Sequence, residues 1–175
     1  MPGIEPIILG PSVHYLTTTI QSSCNGACKH FTEPGIEPII LGPSVHHLTT
    51  TIQSSCNGAC KHFTEPGIEP IILGPSVHYL TTTIQSSCNG ACKHFTEPGI
   101  EPIILGPSVH HLTTTIQSSC NGACKHFTEP GIEPIILGPS VHHLTTTIQS
   151  SCNGNQEEDC QHHELLYIPR NSQLD

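Results

Sequence analysis

Apolar residues arrive along this chain in short, separated groups. In the first stretch they are Ile4, Ile7, Ile8, Leu9, Val13, Leu16, Ile20 and Phe31, with prolines, glycines and hydroxyl residues between them. "IIL" (Ile7–Leu9) lies between Pro6 and Gly10-Pro11, which limits it to a very short strand. "SVHYLTTTIQSS" (Ser12–Ser23) is rich in Val, Tyr, Thr and Ile, side chains that suit a pleated surface. "ACKHFTE" (Ala27–Glu33) follows Asn25-Gly26 and ends at Pro34-Gly35. Asn-Gly between extended runs is the strongest short-range hairpin signal.

A helix competes for the middle segment. Ser12 suits an N-cap, Val13, Leu16 and Ile20 share a face, and Gly26 suits C′. Three consecutive threonines weaken that helix, because β-branched side chains lose rotamer freedom in it. The pattern therefore favours β structure.

The pattern also repeats. The unit Pro2–Glu33 restarts at Pro34, Pro66, Pro98 and Pro130, and the fifth copy stops at Gly154. A non-repeat acidic tail covers Asn155–Asp175. Only one position varies among the copies: Tyr15, His47, Tyr79, His111 and His143. Surface and core positions are equally unchanged, which points to recent copying of the whole block.

Each unit has no tryptophan and at most one tyrosine, so it cannot offset its own ordering entropy. It folds by stacking on its neighbours or stays disordered. Stacking gives a β-solenoid with corners at Gly10-Pro11, Asn25-Gly26 and Pro34-Gly35; separate stacked hairpins are the competing β arrangement. The expected fold is thus a β-rich tandem repeat, β-solenoid-like or of stacked short hairpins, with disorder or a helical repeat as alternatives.

Charge narrows the partners. The 175 residues carry 5 Lys and Arg against 14 Asp and Glu, a net charge of −9. Nucleic acid needs clustered cations, so it is not an expected partner. No basic amphipathic segment suggests a membrane surface, and "IIL" is too short to span a bilayer. The first residues lack the basic start and apolar centre of a signal peptide, so the default expectation is a cytoplasmic chain whose 10 cysteines meet a reducing environment.

Those cysteines raise the sharpest chemical question. Cys24, Cys28 and His30 read C-x3-C-x-H, with His14 upstream as a fourth donor for zinc. If Asn25-Gly26 is a two-residue hairpin, Cys24 lies opposite Ala27 and Cys28 points to the other face. That geometry opposes both a local zinc site and a Cys24–Cys28 disulfide. In a stack, Cys24, Cys56, Cys88, Cys120 and Cys152 form a column with neighbouring thiols within bonding reach. The plainest account is that duplication carried the cysteines along.

In the tail, Cys160 and His162 suit a soft metal, although a solvated acidic terminus explains Glu157, Glu158, Asp159 and Glu164 as well. For the pair His46-His47, strand alternation directs one side chain inward and one to solvent. Tyrosine at the second position in two copies argues against a required ligand there. We therefore assign no catalytic, cofactor or metal residues from sequence. A Cys–His nucleophile lacks an orienting group and an oxyanion site, and no P-loop, G-x-G-x-x-G, G-x-S-x-G or H-E-x-x-H motif occurs. The chain is not expected to be an enzyme. "LTTTIQ" (Leu16–Gln21 and its copies) is uncharged, proline-free and rich in β formers, which favours self-association.

"PGIEPIILGPSVHHLTTTIQSS" resembles the "GIEP…LG…V…TT" stretches of uncharacterised conceptual translations of interspersed repetitive DNA. The resemblance covers about 22 residues of each unit and implies no functional residues. It implies an open reading frame derived from repetitive DNA, a tandem-repeat polypeptide with no specific biochemical activity. A structural or interaction repeat protein prone to self-association, and a Cys/His metal-binding repeat protein, are the alternatives.

Overall fold

The computed structural model describes residues 5, 7–10, 12–32, 35–42, 44–64, 67–74, 76–96, 99–106, 108–128, 131–137 and 140–152. Within each copy the chain runs as a three-residue strand, a long strand and a five-residue strand. These are β1 (Ile7–Leu9), β2 (Val13–Cys24) and β3 (Cys28–Thr32), then β4 (Ile39–Leu41), β5 (Ser44–Cys56) and β6 (Cys60–Thr64). The third copy gives β7 (Ile71–Leu73), β8 (Ser76–Cys88) and β9 (Cys92–Thr96). The fourth gives β10 (Ile103–Leu105), β11 (Ser108–Cys120) and β12 (Cys124–Thr128), and the fifth adds β13 (Ile135–Leu137) and β14 (Ser140–Cys152).

Strands pair only with their counterparts in the next copy. Three parallel sheets result, in the orders β1-β4-β7-β10-β13, β14-β11-β8-β5-β2 and β12-β9-β6-β3. Each paired residue of the ladders lies beside its own equivalent 32 positions away, as in Ile20↔Ile52, Ile52↔Ile84 and Ile84↔Ile116. Isolated bridges Ile36↔Ile68, Ile68↔Ile100 and Ile100↔Ile132 continue the stacking between the short strands. The chain is therefore a parallel β-solenoid, the first of the two β arrangements that the sequence allowed.

Hydrogen bonding explains why the solenoid prevails over hairpins. At the Asn25-Gly26 corner, Asn57 N–H donates to the Cys24 carbonyl at 2.8 Å and Cys28 N–H donates to the Ala59 carbonyl at 2.8 Å. The next rung thus satisfies corner groups that a hairpin would pair across its own turn. Asparagine side chains add a second ladder, with Asn57 Nδ2 donating to Asn25 Oδ1 at 3.0 Å and Asn89 Nδ2 to Asn57 Oδ1 at 2.9 Å. Gly26 turns the chain with φ of 128°, a conformation that suits a residue without Cβ. Pro11 and Pro34, named for the other two corners, lie outside the described residues.

The interior forms three continuous columns. Val45, Leu48 and Ile40 with their copies fill one end of each rung, Ile52 and Ile36 the middle, and Cys56, Cys60 and Phe63 the other end. Ile36, Ile40, Ile52 and Phe63 are fully buried. Stacking thus supplies the core that one unit lacks. Thr50, Thr82, Thr114 and Thr146 are buried between the apolar columns, and their hydroxyls have no hydrogen-bond partner.

Candidate functional site

The chemistry-bearing side chains collect in columns, because each rung repeats the last. The most concentrated is the cysteine corner. Cys24 ends β2 and Cys28 begins β3, and both face the interior, where their sulfurs are joined as a disulfide across Cα atoms 7.2 Å apart. This corrects the expectation that Cys28 points away from Cys24. Asn25-Gly26 turns the chain between two sheets of one rung, whereas the expectation assumed two antiparallel strands of a hairpin. The cysteine column expected from stacking is present in the register of Cys24, Cys56, Cys88, Cys120 and Cys152, but a second column faces it. That column, Cys28, Cys60, Cys92 and Cys124, was legible by applying the same period to the second cysteine.

Cys56, Cys60, Cys88, Cys92 and Cys120 are buried free thiols, and Cys124 is a half-buried one. Each donates to a carbonyl two residues on: Cys60 Sγ to the His62 oxygen at 3.1 Å, Cys92 Sγ to that of His94 at 3.2 Å, and Cys88 Sγ to that of Gly90 at 3.4 Å. Burial and the neighbouring Cys56 and Cys88 sulfurs push the Cys60 thiol above its usual range. Further along, a charge on one sulfur is stabilised by neighbouring S–H donors and disfavours a second charge. Cys88 and Cys124 are accordingly lowered, chiefly by the hydrogen bond from Cys120, while Cys92 and Cys120 are raised, chiefly by Cys124.

The histidines proposed as zinc donors lie elsewhere. Between buried Cys60 and Phe63, both Lys61 and His62 lie toward the outer surface, so the histidine of C-x3-C-x-H does not join its cysteines. His14 sits near the opposite end of β2 from Cys24, about 33 Å away at roughly 3.3 Å per residue. Among the described residues, no group of three or more His, Cys, Asp or Glu converges as a metal site. Cys160 and His162 lie outside the described residues.

Strand alternation also fails at His46-His47. Val45 and Leu48 are buried, and the two histidines between them are both half-exposed. The backbone ladder skips one residue there, pairing Val45↔Val77 and then His47↔Tyr79, so two successive side chains share the outside. They stack along the axis: His46 on His78 with centroids 4.8 Å apart, and His47 on Tyr79 at 4.7 Å. A third ring column runs through His30, His62, His94 and His126.

Like charges stack as well. Burial, followed by His110, His46 and His47, holds His78 below the ordinary imidazole range. His62 is lowered by desolvation, then by His30, His94, Lys61 and Lys93. Glu69 is raised by desolvation and by Glu37 and Glu101. On the long sheet, Gln53 Nε2 donates to Gln85 Oε1 at 2.9 Å and Gln85 Nε2 to Gln117 Oε1 at 3.0 Å. This amide ladder and its flanking serines line an open groove of about 1140 Å³. No family model, curated protein or solved structure matches the chain.

Proposed function

We propose that this chain is a structural repeat polypeptide with no catalytic activity, and that it self-associates end to end. The carrying observation is the register: apart from Tyr15 against His143, both ends of the stack offer the same strand sequence to an incoming copy. β2 is one edge of the long sheet and β14 the other, and the β11–β14 ladder pairs identical residues from Ser108↔Ser140 to Cys120↔Cys152. A second chain placing its β2 on β14 would continue that ladder with no change of pattern. Such a contact is heterologous and does not close on itself, so it propagates.

The ends also carry the apolar surface that interior rungs hide. Ile7 is 63% and Leu9 71% exposed at one end, and Leu137 is 65% exposed at the other; Leu41, one rung in from the first end, falls to 36%. The resemblance to repetitive-DNA translations, together with five nearly identical copies, supports an origin by recent duplication without selection for a reaction.

Sedimentation velocity over a hundred-fold concentration range tests the reading. The expected result is a series of growing oligomers, suppressed when Ile7→Lys and Leu9→Lys place charge on one edge. A chain that stays monomeric throughout that range would overturn it.

A further inference from the structure

Three facts about the cysteine corner point beyond a structural role. The first is composition. Two facing columns of sulfur run through a core whose other large side chains, among the described residues, are Phe31, Phe63 and Phe95. This environment offers soft donors and no oxygen ligand from carboxylates, which discriminates against hard cations.

The second is donor number. Each corner contributes one sulfur from each column; sulfurs of adjacent corners hydrogen-bond to one another, but no group of three or more His, Cys, Asp or Glu is placed to hold a metal ion among the described residues. Zinc sites want four ligands. A two-sulfur site suits a monovalent d10 ion, which accepts linear bis-thiolate coordination.

The third is width. The Cα atoms of Cys24 and Cys28 are 7.2 Å apart, beyond the roughly 4.4–6.8 Å usual for a direct sulfur–sulfur bond. An ion between the two sulfurs of a reduced corner lengthens the bridge, which suits a corner of that width. Lys61, Lys93 and Lys125 each follow a second-column cysteine directly and place a cation column on the outside of the same strand.

We propose that the reduced corner pairs Cys56/Cys60, Cys88/Cys92 and Cys120/Cys124 bind soft monovalent ions of the copper(I) class, one ion between the two sulfurs of a corner. Binding exchanges protons for metal: one ion and two thiols give a bis-thiolate carrying one negative charge, and two protons leave to solvent. No electron is transferred. The Cys24–Cys28 corner joins the set once its disulfide is reduced by a dithiol, which takes up the bond as its own disulfide. The sequence assigned no metal here because a hairpin would have turned the two columns apart.

The test uses the full chain, fully reduced and kept anaerobic, titrated with copper(I) alone. Sulfur-to-copper charge-transfer absorbance should rise and break at one ion per corner pair, and the thermal unfolding midpoint should rise with ion concentration, because the ion binds the folded corner. Zinc(II) should not raise the midpoint. In Cys28→Ser/Cys60→Ser/Cys92→Ser/Cys124→Ser, which removes one column, both the break and the rise should be lost. If that variant does not fold, the wild-type titration still decides. Uptake continuing without a break to one ion per thiol, a fall or no change in the midpoint, or an equal rise with zinc(II), would each overturn the proposal.

Discussion

Gly58 lies so close over Gly26 that a Cβ on Gly58 would run into the Gly26 carbonyl oxygen. The same contact recurs between Gly90 and Gly58 and between Gly122 and Gly90. The glycine of Asn-Gly thus serves the stack as well as the turn: its missing side chain lets one corner sit on the next. Gly90→Ala should lower stability by about 1–3 kcal/mol, as overpacking does elsewhere. A lower denaturant midpoint with an unchanged m-value would show it; no loss of stability would mean that the corners are not in contact.

Stability should also respond to pH, in a direction set by the ring columns. His62 and His78 have folded values below their ordinary 6.5, so the unfolded chain binds protons first as pH falls. Their contribution is therefore complete above about pH 6.5 and is lost as pH drops toward the lower folded values. Glu69 acts in the opposite sense, because its folded value is raised from 4.5: its contribution is present in acid and is lost as pH rises through the raised value. Denaturation midpoints should fall between pH 7.5 and 6. Glu69→Gln should raise the midpoint at pH 7.5 and leave the histidine-driven fall intact. A midpoint flat from pH 7.5 to 6 would contradict this account.

Thr82 places a hydroxyl in the core with no hydrogen-bond partner. Thr82→Val keeps the branched shape and removes the unsatisfied group, so it should stabilise the chain by about 1–2 kcal/mol. Calorimetry on the single variant settles the sign, and a destabilised variant would mean that the hydroxyl has found a partner in solution.

The two kinds of aromatic column should behave differently. Phe95 is fully buried, and Phe95→Ala should cost about 3–5 kcal/mol. Tyr79 stacks on the outside between His47 at 4.7 Å and His111 at 4.8 Å, and histidine already occupies that position in other copies. Tyr79→His should stay within about 0.5 kcal/mol at pH 8, where imidazoles are neutral. Comparable losses for the two substitutions would mean that the outer column supports the fold as strongly as the core does.

The short "IIL" strand, the long Thr-rich strand and the Asn-Gly corner were all legible from residue type. Proline and glycine punctuate the unit, and β-branched side chains fill the long run. The column of Cys24 and its copies followed from the period. What misled was the local rule of alternation. At His46-His47 and at Lys61-His62 the ladder skips a residue, two polar side chains face out together, and Leu48 and Phe63 return to the interior. The inward threonine of "TTT" was legible by the same rule where it does hold: counting by twos from Leu48 to Ile52 puts Thr50 inside. That a second cysteine column faces the first was not legible locally, because Asn-Gly reads as a reversal within one segment and only hydrogen bonds to the next rung make it a corner.

The strict neighbour-to-neighbour register has a hereditary consequence. Because each rung meets only copies of itself, an unequal exchange that inserts or deletes one 32-residue block leaves every surviving interior contact as it was. The molecule grows or shrinks by one strand spacing, about 4.8 Å. Variation in copy number would therefore alter the length of the rod without disturbing its cross-section, and lineages could differ in length while sharing one fold.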